Sequence, residues 1–224
     1  MGVICINQTD AKQTVILNTT PDGVSGGWYA PDGTYVPFDT APDYGAFVSG
    51  NVEGELNLGN ATSMREYSCA HLPNITSINA PELAKTTNYG FFEDTSLEYV
   101  VLPKAVQIGT HSFRKCTNLK GFDMLGGPSE VQSVTQQCFY LSALDTLIIR
   151  CDGLAKLGNV NAFQDTPFAS GGTGGTLYVP SAQIATYQAA SNWSTVLGYT
   201  NNQIKAIEGS IYETKYVDGS PIGG

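Results

Sequence analysis

A mainly β solenoid of about five to six short rungs is the fold class this sequence predicts, because a recurring unit too small to bury its own core must stack on its neighbours. The unit is clearest in residues 97–119, LEYVVLPKAVQIGTHSFRKCTNL. There a β-favouring run closes on proline, a second apolar cluster follows, and Phe113, Cys116 and Leu119 end the copy. The residues that close successive runs, Gly59, Pro81, Pro103, Leu125, Arg150 and Pro180, stand 22, 22, 22, 25 and 30 apart. Composition agrees: 14% charged residues with 25 Gly and 11 Pro suits a turn-rich β chain better than a helical bundle.

Residues 1–50 do not carry the repeat. Val3-Ile4-Cys5-Ile6 and Val15-Ile16-Leu17 read as short strands. Two Pro-Asp-Gly triplets, beginning at Pro21 and Pro31, are turn sequences in which proline presets φ and glycine takes the left-handed position. Trp28-Tyr29-Ala30 and Thr34-Tyr35-Val36 flank the second triplet and predict a hairpin. This β-hairpin module is expected either to cap the first rung, whose edge would otherwise invite pairing with another chain, or to act as a docking module.

Residues 51–180 carry the rungs. Three and one before each closing residue stand mostly apolar pairs: Leu56/Leu58, Ile78/Ala80, Val100/Leu102, Phe122/Met124, Leu147/Ile149 and Leu177/Val179. Alternation at period two sends these to one face of a short strand, toward the core, and their neighbours outward. Pairing of all six in one narrow parallel sheet is the expectation. Ten residues after the closing residue comes a second apolar site, Cys69, Phe91 and Phe113, which Phe139 and Phe163 continue once longer turns are allowed for. Those turns are GGPSE (Gly126 to Glu130) and SGGTGG (Ser170 to Gly175).

In residues 181–208 a helix from Ser181 to about Val196 is expected. Ser181 would cap it, and Ile184, Tyr187 and Ala190 or Trp193 would form its apolar side. Ile204-Lys205-Ala206-Ile207 reads as a closing strand, and together these form a C-terminal cap. The tail, 209–224, is polar and glycine-rich, and is expected to be mobile unless a partner orders it.

The run LEYVVLPKAVQIGTHSFRKCTNLKGFDM, with its Leu-x-x-Val-x-Leu-Pro, Val-x-x-Ile-Gly and Ser-Phe-x-x-Cys-x-x-Leu elements, resembles the BspA-like leucine-rich repeat of bacterial surface proteins. The resemblance covers about Glu53 to Val179, and TLYVPSAQIATYQAASNWSTV followed by IKAIEG resembles the cap that ends many such arrays. Cys69 in place of an aromatic, Gly90-Phe91 in place of Ala-Phe, and irregular later rungs depart from the pattern. The resemblance implies adhesion or recognition outside the cell, and the same repeats resemble domains of phage tail proteins.

The residues offer no catalytic constellation. His71 and His111 lack a Cys, Asp or Glu at ligand spacing, and five cysteines without a CxxC read as reduced, buried hydrophobes. Gly171 to Gly175 lacks the Lys-Ser/Thr of a phosphate loop, and Asp94, Glu98 and Asp123 are scattered carboxylates. No enzyme activity, metal or cofactor is expected. A net charge of −9 without a basic cluster argues against nucleic acid, and no run reaches membrane-span length. The opening MGVICINQTDAKQTVIL lacks the features of a secretory signal, so export as part of a particle, or a trimmed chain, is expected.

The expected function is non-catalytic recognition or adhesion, outside the cell, on a bacterial surface or a virion. A protein or glycan would bind the outer face of the repeat sheet, at Tyr99, Val101, Asp123, Ile148 and Tyr178. The alternative is a rigid spacer or phage-tail component with its contacts, self-association included, at the caps.

Overall fold

The computed structural model describes residues 3–6, 14–16, 27–29, 35–37, 53–58, 64, 66–67, 69–124, 133–169, 174–197, 203–210 and 212. The triplets at Pro21 and Pro31, the Gly126 to Glu130 loop, residues 170–173 and the tail beyond Tyr212 lie outside the described residues.

Strands β1 (Val3–Ile6), β2 (Thr14–Ile16), β3 (Gly27–Tyr29) and β4 (Tyr35–Pro37) pair antiparallel in succession, with Tyr29 opposite Tyr35. Strand β1 also pairs antiparallel with β5 (Glu53–Asn57), and β5 pairs parallel with β6 (Asn74–Asn79). A second sheet, parallel throughout, runs β7 (Tyr99–Leu102), β9 (Gly121–Met124), β11 (Thr146–Ile149), β13 (Thr176–Val179) and β14 (Ile204–Ala206). A third parallel ladder joins the two-residue strands β8 (Gln107–Ile108), β10 (Ser133–Val134) and β12 (Lys156–Leu157). All six apolar pairs read from the sequence are buried, Leu56/Leu58 through Leu177/Val179. The chain is a mainly β repeat protein with little helix.

The strand ladder is not one sheet. Strands β6 and β7 stand in different sheets, where the sequence predicted continuous pairing. The register of β5 and β6 shifts beside Gly54, so that Gly54 faces Ile75 while Glu55 faces Ser77, leaving Thr76 as an extra residue. Such a bulge adds local twist to the strand that carries it, and the ladder ends at β6.

On the opposite, turn side the copies remain joined across that break. The amides of Tyr67, Cys69 and His71 donate to the carbonyls of Asn88, Gly90 and Phe92. Tyr89, Phe91 and Glu93 donate to Thr110, Ser112 and Arg114 at 3.0, 2.9 and 3.0 Å. His111, Phe113 and Lys115 donate to Gln136, Cys138 and Tyr140. Phe139 and Leu141 donate to Ala162 and Gln164. The outer donors of each triplet, Tyr67, His71, Tyr89, Glu93, His111 and Lys115, all have left-handed φ between 56° and 62°. Close approach also explains the glycine after Ile108: a Cβ on Gly109 would lie 2.5 Å from the Thr87 backbone.

Between the two sides runs an aromatic spine. Phe91, Phe113, Phe139 and Phe163 stack with centroids 5.0, 5.7 and 5.5 Å apart and planes within 14°. Phe122 of β9 sets its edge against Phe113 and Phe139, 5.0 Å from each. Each such pair contributes about 0.5–1.5 kcal/mol beyond the area it buries. Phe163 continues through Phe168 and Trp193 to Tyr187.

Trp193 and Tyr187 belong to two short helices where the sequence predicted one. A 3-10 turn, Ser181–Gln183, leads into α1 (Ile184–Ala189), and α2 (Ser191–Val196) follows an extended Ala190 at φ −80°, ψ 112°. The break lets both large side chains reach the core with their polar atoms satisfied. The Tyr187 hydroxyl accepts from the Ala155 amide (2.9 Å) and donates to the Gly153 carbonyl (3.2 Å), while Trp193 Nε1 donates to the Ala155 carbonyl (2.9 Å). Ser181 makes no side-chain cap; its own amide donates to the Glu208 carboxylate.

One core column is chemically uneven. Leu72, Asp94, Cys116, Ser142 and Thr166 follow Cys69 and the four spine phenylalanines by three residues. Cys116 donates its thiol to the Phe91 carbonyl, and Thr166 its hydroxyl to the Phe163 carbonyl. Asp94, fully buried, accepts the Leu72 amide on Oδ1 at 2.8 Å while its Oδ2 has no hydrogen-bond partner. Burial holds its pKa well above the ordinary value, and the Leu72 bond opposes this only in part.

Two outcomes are expected. Phe113→Ala removes a ring packed on three others and should lower the unfolding free energy by about 3–5 kcal/mol in denaturant titration. For Asp94 the folded state keeps its proton above 3.8, where the unfolded chain releases it. Its contribution to stability therefore falls as pH rises through that window, by up to about 1.4 kcal/mol per pH unit. Asp94→Asn should remove this slope, so the variant gains on the parent as pH increases in paired melts. A constant difference across pH would contradict the assignment.

Candidate recognition surfaces

The five outward residues expected to bind a ligand do come together. Val101, Asp123, Ile148 and Tyr178 are cross-strand neighbours on β7, β9, β11 and β13, and Lys205 of β14 ends the row. Tyr99 sits in the adjacent row, its ring lying where a Cβ on Gly121 would otherwise project, 2.2 Å from that position. Three of these five positions are nevertheless buried. Ile148 is 0%, Asp123 1% and Val101 8% exposed, while Tyr99 and Tyr178 are half-buried.

Arg150 and Tyr212 lie against this row. Arg150, the residue that closes the fifth run, folds back over β9 and grips the Asp123 carboxylate at 2.9 Å (Nε to Oδ1) and 2.8 Å (Nη2 to Oδ2). The same Nη2 donates to the Tyr212 carbonyl at 2.6 Å, and the Tyr212 ring rests 4.7 Å from that of Tyr178. Burial raises the Asp123 pKa, against the opposing pull of Arg150. Burial also pushes the Tyr99 phenol up, with Asp123 and Tyr212 adding to the effect. Alternation assigns a side chain to one face of a strand; it does not say what later packs on that face.

The turn side supplies a surface that residue-by-residue reading missed. Tyr67, Tyr89 and His111 form a stacked column, 4.5 Å and 4.6 Å between centroids. Beside it, Phe92 sets its ring edge-on to Tyr89 and His71. The Arg114 guanidinium lies between Phe92 (6.0 Å) and Tyr140 (5.0 Å), within the range of cation–π attraction. A third column is ionic: Glu93 accepts from Lys115 at 2.5 Å and faces His71 at 3.1 Å. The Lys115 hydrogen bond, supported by charge from Lys115 and His71, holds the Glu93 carboxyl below the ordinary range although burial opposes it. Burial and the nearby Arg114 lower the His111 pKa.

All these side chains are half-buried. Left-handed φ at Tyr67, His71, Tyr89, Glu93, His111 and Lys115 sets them in register. The signal was present in the spacing, since positions eight, eleven and twelve after each closing residue hold Tyr67/Tyr89/His111, Phe92/Arg114 and His71/Glu93/Lys115.

Among the described residues no group of three or more His, Cys, Asp or Glu is gathered as metal ligands would be. Cys69, Cys116, Cys138 and Cys151 are buried, and burial raises the thiol pKa of the last three. The Cys5 side chain lies outside the described residues. No described helix is long and apolar enough to cross a membrane.

No curated protein and no solved structure matches the chain. A family model does: six copies of the BspA type leucine rich repeat region cover residues 45–168, more than half the sequence. That span includes the spine from Phe91 to Phe163, the ladder of left-handed turns and both surfaces from Tyr67 to Ile148. By its repeat, and by the stacked copies into which that repeat folds, the chain belongs to the BspA-type leucine-rich repeat family.

Proposed function

We propose that this protein is a non-catalytic recognition module that acts outside the cell, on a bacterial surface or virion, and binds a protein or glycan. In this reading the copies form one solenoid, residues 51–180. The N-terminal β module closes one end, and the helices with β14 close the other. The observation that carries the proposal is the turn-side ridge of Tyr67, Tyr89, His111, Phe92, Arg114 and Tyr140, which presents aromatic edges and a cation in register along successive copies. Interface energy concentrates in Tyr, Trp and Arg anchors of this kind. The ridge is preferred to Val101, Asp123 and Ile148 as the main contact because those three are already buried.

Screening the purified chain against a glycan array and a panel of extracellular proteins should identify a ligand. Tyr89→Ala and Arg114→Ala should each then weaken it by on the order of 2 kcal/mol in a calorimetric titration. Thermal melts of each variant separate lost contact from lost fold. If both fold and bind unchanged while changes in α1, α2 or β14 abolish binding, the repeat is a rigid spacer with its contacts at the ends.

A further inference from the structure

The Asp123–Arg150 pair is not something the repeat needs. Other copies place Val101, Ile148 and Tyr178 in the Asp123 row, and glycine, proline or leucine at the position of Arg150. A buried ion pair generally contributes little net stability over an apolar pair of the same size, because desolvation offsets the attraction. What this pair does provide is a fixed donor. With Nε and Nη2 anchored on a carboxylate that is 1% exposed, Arg150 aims Nη2 at a backbone carbonyl on the outer face. Tyr178 presents its ring beside that carbonyl, and the bare Gly121 lets the Tyr99 ring lie flat along the sheet. The occupant of the site is Tyr212, which lies 62 residues beyond Arg150 and offers its carbonyl to Arg150 and its ring to Tyr178.

We infer that the outer sheet face is a docking site for a tyrosine-bearing peptide segment, held through Arg150 and Tyr178, and that the chain's own Tyr212 fills it in cis. The site recognises one main-chain carbonyl and one aromatic side chain, a combination a peptide supplies and a sugar does not. Its occupant is tethered by only a short run after β14, so a peptide of the same chemistry competes with a local segment rather than with a packed core. The inference is independent of the turn-side ridge, which lies on the opposite side of the copies.

The test uses the full chain, its Tyr212→Ala variant, and a fluorescent peptide of residues 208–218, EGSIYETKYVD. Anisotropy should show the peptide binding the variant at least tenfold more tightly than the parent. It should lose that gain when its own Tyr212 is alanine, or when Arg150→Lys is added to the variant. Nitration with tetranitromethane, followed by peptide mapping, should show Tyr178 more reactive in the variant than in the parent, with melts confirming that both are folded. Equal binding to parent and variant, no binding to either, or unchanged Tyr178 reactivity in a folded variant would each overturn the inference.

Discussion

The turn-side hydrogen bonds, from amides at and between left-handed residues to the carbonyls of the next copy, are the constraint on which the rest depends. A non-glycine residue at left-handed φ costs roughly 1–2 kcal/mol, and the chain holds Tyr, His, Glu, Lys, Gln, Leu and Asp there. A net backbone hydrogen bond contributes about 0.5–1.5 kcal/mol, so the bonds roughly offset the strain. Surplus comes from what the bonds align: the phenylalanine spine inside and the aromatic and ionic columns outside. The strand ladder is interrupted between β6 and β7, yet the turn-side bonds from Tyr89, Phe91 and Glu93 cross the same gap. Departures from the 22-residue spacing fall after Leu125 and Arg150, at the glycine-rich stretches GGPSE and SGGTGG, and not within the five-residue turns that make these bonds.

Much of this was legible in the sequence, for a physical reason. Burial on one side of a strand forces period two, so the pairs from Leu56/Leu58 to Leu177/Val179 announced themselves, and the position ten beyond each closing residue located the spine. Other features depend on geometry that residue type does not encode. Nothing in Thr76 marks it as the extra residue of a bulge. The helix read as continuous from Ser181 breaks at Ala190, a good helix former, because Tyr187 and Trp193 both gain hydrogen bonds around Ala155 when it does. Left-handed turns are ordinarily flagged by glycine or asparagine, and here they carry Tyr89, Glu93 and Lys115 instead. The ridge built on them was therefore read as unrelated surface residues.

The outer face shows the same limit from the other side. Tyr99, Val101, Asp123, Ile148 and Tyr178 lie on neighbouring strands, yet the residue that meets Arg150 and Tyr178 there, Tyr212, comes from a stretch with no pattern of its own. Asp123 and Arg150 were unremarked as a pair because 27 residues separate them and only stacking brings them together. Asp94 is a different departure, a carboxyl in a column otherwise filled by leucine, cysteine, serine and threonine. Burial without a partner charge raises its pKa well above the ordinary value.

The most direct measurement is amide hydrogen exchange, resolved residue by residue, on the turn-side donors. If those bonds hold the copies together, the amides of Phe91, Phe113 and Phe139 should exchange only through global opening. The Tyr89 and Glu93 amides, which bridge the β6–β7 discontinuity, should be as slow as those of β9 and β11. Turn-side amides that exchange rapidly while the β7–β13 ladder stays protected would contradict the account, and would place the organising force in the strands instead.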